Sequence, residues 1–205
     1  MHETENGKYE TEEIDRGGLA PFLIIMDNLS DEKLIALTAE GEDNAFRIIV
    51  DRYRDRIMNT AYKFTNEYDL AQDLSQEIFL KVWKHADTFR HDSALSTWIF
   101  RIAYNTAINF KNKNSKHNNA DIDLINPKFI AQDETAKRTN KRRIEKLKEE
   151  IADLPERQRM ALILKHFEGY SYSEIAEIMK TTQKAVENLL YRARETLRKS
   201  RGELL

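Results

Sequence analysis

Between Ser171 and Leu197 the chain spells two short amphipathic segments separated by a tight polar turn, and the second is studded with basic residues. Ile175, Ala176, Ile178 and Met179 give the first segment an apolar face at helical spacing, and Val186, Leu189, Leu190, Ala193 and Leu197 do the same for the second. Thr182 stands where a side-chain oxygen caps a helix that begins at Gln183. A pattern of this kind has few structural solutions. It predicts a helix-turn-helix, whose second helix enters a DNA major groove. A plain helical hairpin with a charged outer face is the bland alternative, because short motifs of this type give false matches.

The rest of the 205 residues agrees with a helical protein: six Gly, three Pro, 40% hydrophobic and 33% charged residues leave few breakers among many helix formers. The absence of cysteine excludes disulfides and thiolate metal sites, and fits a reducing cytoplasm. The apolar run Phe22 to Met26 is too short to span a bilayer, and the acidic start lacks the basic-then-apolar order of a signal peptide. A formal net charge of −2 argues against a nucleic-acid partner, but the distribution argues for one. Acid dominates Glu3 to Asp15, whereas base dominates Lys111 to Lys116, Lys137 to Lys148 and Arg192 to Arg201.

Residues 1–27 are expected to form an acidic disordered tail, with order beginning at the N-cap Ser30. Helical spacing then recurs over residues 43–64 and 68–85, and again to Lys113 after a polar loop at Phe89 to Leu95, with Ser96 or Thr97 as its cap. The pattern collapses after Asn114, so residues 117–139 are expected to be a linker. It resumes near Lys141 with Ile144, Leu147, Ile151 and Leu154; Pro155 opens the next helix and Gly169 ends it. The expected fold is therefore all-α, with two small helical domains, residues 28–116 and 140–205, joined by a flexible linker.

In the helix-turn-helix, Gln183, Lys184, Glu187 and Asn188 lie at the start of the second helix, where side chains meet base edges. Lys can donate to guanine, Asn or Gln can pair with adenine, and Glu can accept from cytosine. Tyr191, Arg192, Arg194 and Arg198 lie further along and suit phosphates.

Two segments together resemble bacterial RNA polymerase sigma factors of the extracytoplasmic-function (ECF) group of the sigma-70 family. Leu154-Pro-Glu-Arg-Gln-Arg, Phe167-Glu-Gly-Tyr-Ser-Tyr-Ser-Glu-Ile-Ala and Ala185-Val-Glu-Asn-Leu-Leu-Tyr-Arg-Ala-Arg are similar to region four. Asp69-Leu-Ala-Gln-Asp-Leu-Ser-Gln-Glu-Ile-Phe-Leu-Lys-Val-Trp, Phe89-Arg and Ser96-Thr-Trp-Ile-Phe-Arg-Ile-Ala-Tyr-Asn are similar to region two. Lys180 departs from the pattern, standing where many relatives have Gly in the turn; a strained turn or another backbone path follows.

The resemblance implies a subunit that binds core RNA polymerase and promoter DNA, with an anti-sigma factor as a further partner. It implies that Asp69, Gln72, Asp73, Gln76 and Glu77 grip the polymerase; the three carboxylates fall four apart on one helix face. It also implies that His91, Asp92 and Ser93 receive a base of the melted downstream element, while Arg101, Tyr104, Asn105, Asn109, Lys111 and Lys113 line the strand. The region-four residues named above would meet the upstream element as duplex.

Three rival readings stand beside this one. One makes the carboxylates Asp69, Asp73 and Glu77 a divalent-metal site, but a line along one helix cannot enclose an ion unaided. A stand-alone regulator would use the same helix-turn-helix, yet has no need of an acidic helix followed by a Trp-bearing basic one. An enzyme would need a nucleophile, base and acid in concert, or a phosphate-binding Gly-rich loop; neither is present, and the five His have no metal-ligand spacing. The expectation is a non-enzymatic protein without cofactor.

Overall fold

The computed structural model describes residues 26–114 and 145–202, and these are helical throughout, with no strand among them. The elements are α1 (Asp31–Ala39), α2 (Asp43–Thr65), α3 (Tyr68–Lys84), α4 (Leu95–Asn114), α5 (145–152), α6 (Glu156–His166), α7 (Tyr172–Ile178) and α8 (Gln183–Gly202), with a 3-10 turn at Ala86–Thr88. The tail to residue 25 and the expected linker at 117–139 lie outside the described residues.

Helices α1 to α4 form one bundle. Ser30 caps α1, accepting from the Lys33 backbone N–H, as its sequence context predicts. The chain is already packed against the bundle before that cap. Met26 is only 4% exposed, and Arg52 donates to the carbonyls of Asp27 and Leu29 while pairing with Asp31 at 2.7 Å. A guanidinium on α2 thus ties down the entering chain, which no local pattern announces. Phe64, Ile49, Ile57, Leu74, Ile78, Ile99 and Phe100 fill the bundle core.

Two helix starts differ from expectation. Helix α4 begins at Leu95, ahead of Ser96 and Thr97, because the Ala94 carbonyl already accepts from the Trp98 N–H. Burial of Leu95 against the core, 1% exposed, outweighs the capping preference of the hydroxyl residues. Pro155 sits at the N-cap of α6, not within its first turn; its carbonyl accepts from Gln158 and Arg159. Gly169 does end the following turn, at φ +77°.

Helices α5 to α8 make the second unit, and the two units are packed together. Buried residues from Met26 to Ala193 form one connected apolar cluster. Among the described residues, no helix is long and apolar enough to cross a membrane.

Candidate DNA and polymerase interfaces

The helix-turn-helix forms where the motif places it. Ser171 caps α7 in a full capping box: its hydroxyl accepts from the Glu174 N–H, and the Glu174 carboxylate accepts from the Ser171 N–H at 2.8 Å. Those hydrogen bonds hold the Glu174 carboxyl below its ordinary pKa, so their stabilisation is present at neutral pH and is lost as pH falls through that lowered value. Thr182 caps α8 by accepting from the Ala185 N–H at 3.2 Å.

Lys180 turns the chain between the helices at φ +46°, the left-handed region where a Cβ costs about 1–2 kcal/mol. The motif pattern holds its geometry despite the missing glycine, and the turn stores the strain. Lys180→Gly is therefore expected to stabilise the protein by about 0.5–1 kcal/mol, after the entropy lost by a glycine. A thermal melt reads this as a midpoint rise of about 1–4 °C; an unchanged or lower midpoint refutes the strain.

All seven residues assigned to the upstream element, Gln183, Lys184, Glu187, Asn188, Tyr191, Arg192 and Arg194, are exposed along one helix. Val186, Leu190 and Ala193 on the opposite side are buried, and that burial aims the polar side outward. Lys184 pairs with Glu187 at 2.9 Å across one helical turn. Burial, then Arg194 and Lys165, lower the pKa of His166, a mark of the positive field along this end of α8.

In the first unit, Asp69, Gln72, Asp73 and Gln76 are exposed on α3 and Glu77 is half-buried. Glu77 pairs with Lys81 at 2.7 Å, and Lys81 donates to Thr106 at 3.2 Å, so one of the three carboxylates is partly neutralised from within the helix. Phe79 packs into the core, and Trp83 meets Phe46 edge-on at 4.9 Å, so both anchor the helix that presents this face. Among the described residues no group of three acidic or His side chains is placed to hold a metal ion.

The loop before α4 builds a cleft of about 250 Å³ lined by Thr88, Phe89, Arg90, Asp92, Ser93, Trp98 and Arg101. Two of its lining residues are aromatic: Phe89 meets Trp98 edge-on at 5.5 Å, and His91, outside the lining, meets Phe89 at 4.7 Å. His91 lies at φ +59°, in the left-handed region. Of the residues assigned to the melted strand, Asp92, Ser93 and Arg101 line this cleft and His91 does not; Phe89 and Arg90 come from the same loop, and Thr88 and Trp98 are brought in by the fold. The Arg101 Nε is buried without a hydrogen-bond partner, leaving an unmet donor at this wall.

Tyr104 is a correction to the strand-lining set. It is 8% exposed, because the helical period puts it with Phe100, Ala103 and Ala107 on the inner side of α4. Asn105 and Asn109 are exposed. Lys111 and Lys113 fall within α4, but their side chains lie outside the described residues.

Sequence reasoning missed a third feature altogether, the seam between the units. Glu168, whose side chain is 6% exposed, accepts from Arg56 at 3.0 Å and from Thr60 at 2.9 Å, more than a hundred residues away in the chain. Arg56 lies over the rings of Phe100 and Tyr170, which themselves meet edge-on at 5.3 Å. Arg159, 2% exposed, reaches across to the Phe64 carbonyl at 2.5 Å, and Arg101 pairs with Glu177 of α7 at 2.6 Å.

Comparison with known proteins decides the family. Residues 49–117 match the description "Sigma-70 region 2", and residues 144–197 match "Sigma-70, region 4". The RNA polymerase sigma-H factor of Pseudomonas aeruginosa is 33% identical over 184 residues, covering 85% of this chain and 95% of the relative. This chain belongs to the sigma-70 family, in its ECF group. The ECF RNA polymerase sigma-E factor of Escherichia coli is 32% identical over 180 residues, covering 83% of this chain and 94% of that one.

Two solved structures share the fold. CnrH in complex with the cytosolic domain of CnrY matches with a TM-score of 0.62 at 23% identity, covering 84% of this chain and 97% of that one. The sigma factor RpoE of Bartonella quintana, in complex with the anti-sigma factor NepR, matches with a TM-score of 0.60 at 23% identity, covering 75% and 94%. This sigma factor is thus of a family that directs promoter-specific transcription, and its two helical units are regions two and four.

Proposed function

We propose that this sigma factor binds core RNA polymerase through the acidic face of α3, meets the upstream promoter element as duplex through α8, and captures the downstream element as a melted strand in the cleft before α4. The observation that carries the strand reading is that cleft, where the rings of Phe89 and Trp98 stand beside Asp92, Ser93 and Arg101. A base drawn from the stack needs a shaped pocket with aromatic or polar edges to receive it. Its binding energy offsets part of the cost of melting, so the protein works in the cytoplasm as a binding subunit without cofactor or catalysis of its own. An anti-sigma factor, such as NepR for the Bartonella relative, is the expected regulator.

The exposed start of α8 supports the duplex reading. Lys184→Ala or Asn188→Ala is expected to weaken binding to upstream promoter duplex by about 1–3 kcal/mol each if the side chain touches a base edge. Holoenzyme footprinting and gel-shift titration measure this. Footprints and affinities equal to wild type would remove both residues from the reading set.

A further inference from the structure

Arg101 belongs to two sites at once. It lines the cleft before α4, and it forms a 2.6 Å ion pair with Glu177 on the first helix of the helix-turn-helix. Its side chain is 28% exposed and that of Glu177 41%, so the pair lies at a rim that solvent and a ligand can reach. A nucleic-acid strand entering the cleft offers phosphates and base acceptors to the same guanidinium, and Arg meets such groups through a fixed fork of donors. While Glu177 holds one arm of that fork and adds negative charge beside it, a strand is opposed both by occupancy and by like charge.

Beneath this rim lies the rest of the seam. Glu168 sits between Arg56 and Thr60, and Tyr170 against Phe100 on the inner side of the same α4 that carries Arg101. These contacts place α7 against α4, and so deliver Glu177 to Arg101.

We infer that Glu177 is an intramolecular competitor for the melted strand: docking of region four on region two and strand capture by the cleft exclude each other through Arg101. The inference rests on the strand-capture reading above and adds its regulation. Because linkage is reciprocal, a strand that takes Arg101 must loosen the docked units by the same factor that docking weakens the strand.

The test uses the full chain, which has no native cysteine, so that dyes can be placed at two exposed positions, Asp55→Cys on α2 and Glu149→Cys on α5. The probe is a labelled random-sequence pool of single-stranded DNA 12-mers, followed by anisotropy, with energy transfer between the two dyes reporting docking. Glu177→Gln is expected to bind the pool roughly threefold more tightly than wild type, the order of a partly exposed ion pair. Adding the pool to wild type lowers energy transfer.

Arg101→Gln binds weakly, and Arg101→Gln with Glu177→Gln gains nothing over Arg101→Gln alone. Glu40→Gln, which removes an exposed acid at the end of α1, stays at wild-type affinity and separates competition from a change in net charge. If wild type binds the pool and Glu177→Gln binds no better, or improves equally without Arg101, the competition is refuted and the strand-capture reading survives. If neither wild type nor Glu177→Gln binds the pool, the strand-capture reading fails and takes the inference with it.

Discussion

Asp73→Lys is expected to weaken binding to core polymerase by about 100-fold or more while leaving the fold unchanged. Asp73 is exposed midway along the acidic face of α3, between Asp69 and Glu77 at one turn on either side. Glu77 is already engaged by Lys81, so Asp69 and Asp73 carry most of the free negative charge there. Reversing the central charge puts a cation where the proposed interface calls for an anion, and like charges brought together at an interface cost several kcal/mol. Each 1.4 kcal/mol is tenfold. Titration of labelled protein with core polymerase measures the loss, and circular dichroism checks the fold. Wild-type affinity in Asp73→Lys would show that α3 is not the polymerase-binding face.

Arg159→Ala should be the most damaging substitution for stability. The guanidinium is buried and donates to the carbonyls of Phe64, Ala152 and Leu154, and it lies over the Phe64 ring. Phe64 stands in the last turn of α2, where a helix leaves carbonyls without internal partners. One side chain therefore satisfies the end of a region-two helix and the turn before α6 together. Burial alone lowers the Arg159 pKa, yet an Arg stays charged, and its donors are met mostly by backbone oxygens.

Alanine would leave those oxygens short of donors, at about 1–3 kcal/mol for each one that water cannot reach. A net loss of about 3 kcal/mol corresponds to a fall of roughly 6–12 °C in the thermal midpoint. Arg159→Lys should recover little, because a single ammonium cannot replace a planar fork spanning three acceptors. A fall of less than about 2 °C would mean that the seam contributes little to the folded state.

The helices were legible because each is written locally. The apolar spacing of α2, α3 and α8, the caps at Ser30 and Thr182, and the Gly169 stop all act within a turn or two of themselves. The exposed faces followed from the same spacing, since what is not buried at helical period points outward. The seam was not legible for the converse reason. Glu168 reads as a polar residue at a helix end and Arg56 as one of several bases on α2, and nothing local pairs them across 112 residues.

Arg159 carries a similar lesson. In sequence it is one more base after Leu154-Pro-Glu-Arg-Gln; in the fold it is buried, its charge held by carbonyls that any sequence would supply. Tyr104 erred in the other direction. The resemblance put Tyr104 among the strand-lining residues, and the period of α4 turns its ring inward.

The central claim is that this protein gives core polymerase a choice of start site. Purified core polymerase with and without the protein, on a library of bacterial genomic fragments with the initiated RNA ends sequenced, tests it most directly. The account predicts initiation at a small set of positions that share an upstream and a downstream element, present only when the protein is added and lost with Asp73→Lys. Start sites identical with and without the protein would contradict it.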